Sequence, residues 1–178
     1  ANWSSFFVNA PNNTMLLIDT ANNTVIDSVV VSKEPNSMVF DQGGRLWVLS
    51  SGGYLSEEYP ALTCIDPVGF TVDKVIQFPV KSINPTQLCR NPTGDTLYYL
   101  NDSVYRIPIT ATAVPQKAFI GQTGFYALEV DPMTGNIWAS NPGNYQEKGT
   151  IFVFNPDGTE EQQFKAGIIP GSFTFIHP

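Results

Sequence analysis

Few side chains in this chain have the type and spacing that catalysis requires. The single histidine, His177, stands next to the C-terminus, and one imidazole builds neither a histidine metal site nor a nucleophile–histidine triad. The two cysteines, Cys64 and Cys89, have no histidine near them, so no catalytic thiol is expected. Glycine pairs at 43–44 and 52–53 precede no helix and therefore predict no phosphate-binding loop. The sequence thus predicts no catalytic residues, no metal and no cofactor.

The composition excludes two classes of partner. The chain has 178 residues, a formal net charge of −7 and a pI of about 4.5. This charge argues against nucleic acid and against acidic membrane surfaces, because both repel an acidic protein. No apolar run reaches the roughly 20 residues of a membrane span. We therefore expect neither a nucleic-acid partner nor a membrane span.

One supersecondary unit recurs along the chain. Two apolar strands, Ser37–Phe40 and Leu46–Leu49, flank a tight turn at 41–44, and related segments follow at 85–102 and 126–143. Corresponding glycines are 50 and 41 residues apart, at Gly44, Gly94 and Gly135. Corresponding aromatic residues are 51 and 40 apart, at Trp47, Tyr98 and Trp138. A period of about 40–50 residues with four short strands each is typical of a β-propeller.

We therefore predict an all-β fold, a β-propeller of about four four-stranded antiparallel blades. The predicted division is residues 1–35 for strands two to four of a composite blade, then whole blades at 36–80, 81–121 and 122–168, and a closing first strand at 169–178. This division includes predicted strands at Ser5–Asn9, Gln116–Ile120 and Gly171–Ile176. The N-terminal strands could pair with the last one and so remove free sheet edges.

The assembly is left open by the sequence. The domain could close as a small ring, or it could be the C-terminal part of a larger propeller whose missing blades cover the exposed faces. The complementary chain ends also suggest a homodimer in which two open halves complete each other. The cysteines are expected to stay separate buried thiols, because strands two apart lie about 10 Å apart and a disulfide needs Cα atoms within about 7 Å.

Short motifs resemble one propeller family. A third strand ends in Ile-Asp and continues as Thr-Ala-Asn-Asn-Thr-Val at 18–25, Pro35 precedes a first strand, and Asp-Pro-Met-Thr-Gly-Asn-Ile-Trp spans 131–138. These residues resemble the YncE-like, surface-layer-type propeller repeats, and the chain is most similar to exported propellers of anaerobic Gram-negative gut bacteria. That group is mostly uncharacterised, and one branch binds cobalamin.

The resemblance has consequences for location, ligand and length. It implies export to the periplasm or the outer cell surface, with a lipoprotein anchor in the full-length form. It also implies a corrinoid-like small molecule as one candidate ligand. Relatives usually have about seven blades, so this chain is short for the family.

A metal-dependent hydrolase is the least favoured function. Propeller lactonases gather Glu, Asn and Asp at the central pore, which requires carboxylates where first strands begin. No carboxylate stands at the corresponding positions, which are 35–37, 84–86, 125–126 and 170–172. Oxygen ligation of Ca²⁺ there is therefore poorly supported. Glu129 lies inside a first strand as a lone acid, for which a hydrogen-bonded structural role is expected.

Surface recognition is the function that the remaining residues favour. The two longest connections, 51–60 and 141–149, belong to the same predicted face of the propeller. Tyrosines beside amides and charges suit a glycan or a polar small molecule through stacking and hydrogen bonds. The predicted ligand-binding residues are Tyr54, Glu57, Glu58, Tyr59, Phe125, Tyr126, Tyr145, Gln146 and Lys148. We thus expect a non-catalytic recognition module, with a protein–protein interaction or structural domain as the alternative.

Overall fold

The computed structural model describes residues 12–176, and these residues form strands, turns and irregular connections without an α-helix. Alternating or continuous apolar residues bounded by Gly, Asn, Asp and Pro explain this, because such segments favour strands over helices. The strands in this range are β1 (Thr14–Asp19), β2 (Thr24–Val30), β3 (Pro35–Phe40), β4 (Leu46–Ser50), β5 (Ala61–Asp66), β6 (Thr71–Gln77), β7 (Thr86–Arg90), β8 (Thr96–Asn101), β9 (Ser103–Pro108), β10 (Ala127–Val130), β11 (Ile137–Asn141), β12 (Lys148–Phe154) and β13 (Glu160–Ile168). The predicted all-β fold is confirmed.

The strands of the described range form four sheets, in each of which neighbours in space are neighbours in sequence. The β3–β6 and β10–β13 sheets have four strands, the β7–β9 sheet has three and the β1–β2 sheet has two. Register runs antiparallel, for example with Trp47 opposite Cys64 and Trp138 opposite Val153. The β3–β6 and β10–β13 sheets are the four-stranded units that the repeat predicts, and the β7–β9 sheet has one strand fewer.

The described chain divides into two compact units. The first contains the residues up to Thr86 together with Thr112–Val114, and the second contains the remainder. In the first unit the β1–β2 hairpin packs on one face of the β3–β6 sheet. The buried residues of this core are Met15, Val31, Leu46, Val48, Ile65 and Phe70.

In the second unit the β7–β9 and β10–β13 sheets share a larger core. It is almost entirely aliphatic and aromatic, and its size reflects strands that are apolar on both faces, as expected where sheets are stacked. Its buried members are Cys89, Tyr98, Leu100, Val104, Ile120, Phe125, Leu128, Val130, Ile137, Ala139, Phe152 and Phe154.

The repeated turns have the chemistry that the sequence predicts. The three repeat glycines adopt nearly the same left-handed conformation, with φ of 76°, 73° and 76° at Gly44, Gly94 and Gly135. The amide of each glycine donates a hydrogen bond of 3.0, 3.0 or 2.9 Å to the carbonyl of the Asx residue that opens its turn, namely Asp41, Asn91 or Asp131. Glycine is favoured there because positive φ brings Cβ of other residues too close to the backbone.

Two predicted strands differ from the structure. Residues 116–120 do not form a strand, because the amides of Phe119 and Ile120 both donate to the one carbonyl of Val104, leaving a single bridge instead of a ladder. Residues 171–176 form no strand with the rest of the described chain. Their phenylalanines, Phe173 and Phe175, contact the Trp138 ring at 6.0 and 5.8 Å between centroids.

The closure of the composite blade stays a prediction. It requires the strand predicted at 5–9, which lies outside the described residues, as does His177.

Candidate functional site

The predicted ligand-binding residues lie in two groups, one on each unit. Tyr54, Glu57, Glu58 and Tyr59 are in the β4–β5 connection of the first unit. In the second unit, Phe125 and Tyr126 lead into β10, Tyr145 and Gln146 lie in the β11–β12 connection, and Lys148 opens β12. Each group is therefore described by itself.

Carboxylates hold the 51–60 connection in place. Glu34 accepts hydrogen bonds from the Ser51 hydroxyl at 3.2 Å and from the Tyr54 amide at 3.1 Å. Glu58 accepts one from the Lys33 amide at 3.0 Å. These bonds satisfy backbone donors in a segment without a strand ladder, so these carboxylates are structural partners of the loop.

Glu57 is also engaged within this loop. One of its oxygens lies 3.4 Å from Lys33 Nζ, and the other accepts from the Leu55 amide at 3.1 Å. Its own backbone amide, and to a smaller degree Lys33, hold the pKa of this carboxyl below the ordinary value. Lys81 donates to the Glu57 carbonyl and lies 5.1 Å above the Tyr59 ring. The side chains that this loop exposes to a partner are therefore mainly apolar and aromatic, with Tyr54 71% and Leu55 77% exposed.

In the second unit, two tyrosines form an exposed pair. The rings of Tyr126 and Tyr145 are 6.0 Å apart between centroids and stand at 89° to each other. They are 44% and 55% exposed. The Tyr126 amide donates to the Ser140 carbonyl at 2.8 Å, and the Asn144 side chain caps the loop by accepting from the Gln146 amide at 3.0 Å. The tyrosine pair therefore consists of two perpendicular aromatic faces on a hydrogen-bonded backbone.

Phe125 differs from its neighbour. Its side chain is buried and packs edge-on against Phe152 and Phe154, with centroids 5.8 and 6.1 Å away. The alternation of side chains across an extended segment explains the contrast, since Phe125 faces the core and Tyr126 faces outward. Phe125 accordingly belongs to the core of the second unit, and its ring is not part of the exposed surface.

The titratable groups of the described chain do not gather into a metal or redox centre. Within residues 12–176, no group of three or more His, Cys, Asp or Glu side chains could hold a metal ion. Cys64 and Cys89 are separate, buried thiols, as predicted. Burial raises the pKa of both, most strongly that of Cys89, so both are protonated at neutral pH. No helix in the same range is long and apolar enough to cross a membrane.

Sequence reasoning missed a cleft in the second unit. This cleft, here called the turn cleft, has a volume of about 610 Å³ and lies where the β7–β8, β10–β11 and β12–β13 turns meet. It is at the opposite end of the β10–β13 sheet from the Tyr145 loop, because those turns and that loop join opposite strand ends. Its lining residues are Asn91, Pro92, Thr93, Thr96, Tyr98, Arg106, Pro108, Thr134, Gly135 and Pro156. Arg106, the only charged residue of β9, is the signal that could have drawn attention to it.

No protein-family model and no curated protein matches this chain. Solved structures do match. Hydrazine synthase from Kuenenia stuttgartiensis is 14% identical with a TM-score of 0.69, covering 87% of this chain and 44% of that one. The Dos1 propeller is 13% identical with a TM-score of 0.62, covering 86% and 42%. A quinonprotein alcohol dehydrogenase-like protein from Bacteroides thetaiotaomicron is 17% identical with a TM-score of 0.60, covering 79% and 36%.

These similarities concern the fold alone. Together with the repeated antiparallel meanders, they establish that the chain has the β-propeller fold. The chain spans less than half the length of these structures.

Proposed function

We propose that this propeller domain is a non-catalytic recognition module that binds a glycan or another polar small molecule, such as a corrinoid, at its exposed tyrosines. The observation that carries the proposal is the tyrosine pair, whose perpendicular rings are both exposed and contact each other edge to face. The proposal includes export to the periplasm or outer surface of a Gram-negative bacterium, for which the family resemblance is the support.

The geometry of the pair suits a sugar better than a fully apolar ligand. One face of a pyranose ring is lined by C–H groups that pack on an aromatic ring, while its hydroxyls need hydrogen-bond partners. Gln146 and Lys148 stand close in sequence to Tyr145 and supply such partners. Tyr54 and Tyr59 form the corresponding, separate surface of the first unit.

The proposal is tested with a soluble-glycan array and with cyanocobalamin by titration calorimetry, on wild type and on Tyr145→Ala, Tyr145→Phe and Tyr54→Ala. We expect saturable binding to one probe class that Tyr145→Ala weakens about tenfold or more and Tyr145→Phe largely keeps, because stacking on an aromatic face contributes about 1–3 kcal/mol. Tyr54→Ala reports on the separate tyrosine surface of the first unit, and a probe bound at the tyrosine pair should keep its affinity in this variant. Binding by none of the probes, or binding unaffected by Tyr145→Ala, would contradict the proposal.

A second candidate, protein–protein interaction, is favoured by exposed apolar side chains on the β1–β2 hairpin and on β3. Apolar side chains there are 48–65% exposed, namely Leu16, Ile18, Val25, Ile26, Val30, Met38 and Phe40. Several exposed apolar residues on consecutive strands favour a surface that a partner covers. The partner that fits is a further propeller blade, from missing blades of the same protein or from a homodimer. The molar mass in solution tests the homodimer: twice the chain mass, falling to the chain mass in Ile26→Ser, supports it, and a monomeric wild type argues against it.

A further inference from the structure

We propose that the turn cleft is a second binding site, which takes a small molecule with a carboxylate or phosphate group and holds that group with Arg106. The inference is independent of the proposed function, because the cleft and the tyrosine pair are at opposite ends of the β10–β13 sheet. It stands on three observations: the cavity itself, the state of the Arg106 guanidinium and the polarity of the groups around it.

Within the part of the chain that the structure describes, Arg106 has an aromatic partner and no acidic one. Its guanidinium carbon lies 3.7 Å from the centroid of the Phe119 ring, a stacking contact that fixes the plane of the group. None of the ion pairs within residues 12–176 includes Arg106; they join Lys33 to Glu57, and Arg45 to Asp66 and Asp73. The chain has 16 acidic and nine basic residues, so carboxylates outnumber the cations that they could pair with. Because none of the ion pairs among the described residues includes Arg106, its positive charge is left for a ligand.

Two side chains with hydroxyl groups, Tyr98 and Thr134, line the turn cleft together with Arg106. The Tyr98 hydroxyl faces Arg106, and burial raises the pKa of Tyr98 despite that neighbour, so the phenol keeps its proton at neutral pH. The hydroxyl of Thr134 accepts from the Asn136 amide at 3.2 Å, which leaves its own proton to donate elsewhere. A stacked guanidinium, a phenol and a hydroxyl present hydrogen-bond donors together, and an oxyanion is the ligand that complements such a set.

Asp95 lies in the β7–β8 turn that forms part of the cleft wall, and that turn holds its carboxylate. Asp95 accepts from the Asn91 side chain at 2.7 Å and from the Thr96 hydroxyl at 2.8 Å. These bonds lower the pKa of Asp95, so it stays ionised and reduces the affinity for an anion without blocking the donors. A cavity of about 610 Å³ is large enough for a metabolite-sized molecule rather than a bare ion.

The test is an amide NMR titration with inorganic phosphate, glycerol 3-phosphate and succinate, at constant ionic strength. We expect saturable shifts confined to the three turns and to Arg106 and its neighbours. Arg106→Gln should weaken binding about tenfold or more, since charge-assisted bidentate bonds are lost. Lys165→Gln makes the same change in charge on β13, away from the cleft, and should change the affinity by less than about twofold.

The outcomes separate the possibilities. Saturation by the phosphates alone, or by succinate alone, supports the site and narrows its class. Arg106→Lys keeps the positive charge but not the fork of donors, so it should bind with intermediate affinity. Intermediate binding by this variant would show that the weakening in Arg106→Gln is not caused by loss of fold. The spectrum of each free variant also reports its fold directly. Absence of saturable shifts at millimolar concentration, shifts spread over the surface, or equal weakening by Lys165→Gln would overturn the proposal.

Discussion

The neighbouring residues Phe125 and Tyr126 provide a sharp test of where the core ends and the recognition surface begins. Phe125 is buried among Phe152 and Phe154, whereas Tyr126 is 44% exposed and meets Tyr145 edge-on. Truncation of a buried phenylalanine to alanine costs about 3–5 kcal/mol, which includes the cavity that remains. Truncation of Tyr126 should cost less than about 1 kcal/mol, since its backbone hydrogen bond to Ser140 persists and much of its ring is already in water.

Urea unfolding of Phe125→Ala, Phe125→Leu and Tyr126→Ala measures the difference. Phe125→Leu should lose only about 1–1.5 kcal/mol, because most of the apolar volume remains. Ligand binding should show the reverse order, with Tyr126→Ala impaired and Phe125→Leu close to wild type. If Tyr126→Ala unfolded as easily as Phe125→Ala, or if Phe125→Leu abolished binding while stability was kept, the division between core and surface would be refuted.

Further predictions concern the turns and one half-buried acid, Glu129. Asp41→Ala should cost about 2–3 kcal/mol in urea unfolding, because Asp41 accepts from two turn amides and from the indole of buried Trp47; a cost within error of zero would contradict this. Gly44→Ala should cost about 1–2 kcal/mol by the same assay through its left-handed conformation alone, since no atom lies within 4 Å of the added Cβ, and no loss would refute the argument. Burial raises the pKa of Glu129 above 4.5, so the native state loses stability relative to Glu129→Gln as the pH rises through that raised value. The melting temperature of Glu129→Gln should therefore exceed that of wild type at pH 7, and this difference should disappear in acid below the ordinary pKa. A difference that grew in acid would contradict the raised pKa of Glu129.

Much of the fold was accessible from the sequence, because its information is local and repeated. The positive φ at Gly44, Gly94 and Gly135 favours glycine, and the turns open with Asx residues, which are common in turns. The strand predicted at 116–120 does not form, and this has a physical cause. Apolar residues alone do not reveal that two successive amides donate to the same Val104 carbonyl.

The candidate site was less accessible, because surface contacts depend on distant parts of the chain. Glu57 and Glu58 looked like ligand-binding acids, yet their partners are Lys33 and the loop itself, 24 and 25 residues away in the case of Lys33. The turn cleft was invisible for the same reason, because Arg106 and Thr134 come from different sheets. Phe125 could have been assigned to the core, since it alternates with Tyr126 in an extended segment.

The most direct test of the central claim, recognition at the tyrosine pair, is to map a bound probe by intermolecular nuclear Overhauser effects. Using whichever probe the array or the calorimetry selects, the account predicts contacts from ligand protons to the ring protons of both Tyr126 and Tyr145. Overhauser effects to other residues, with none to the ring protons of Tyr126 or Tyr145, would contradict recognition at the tyrosine pair.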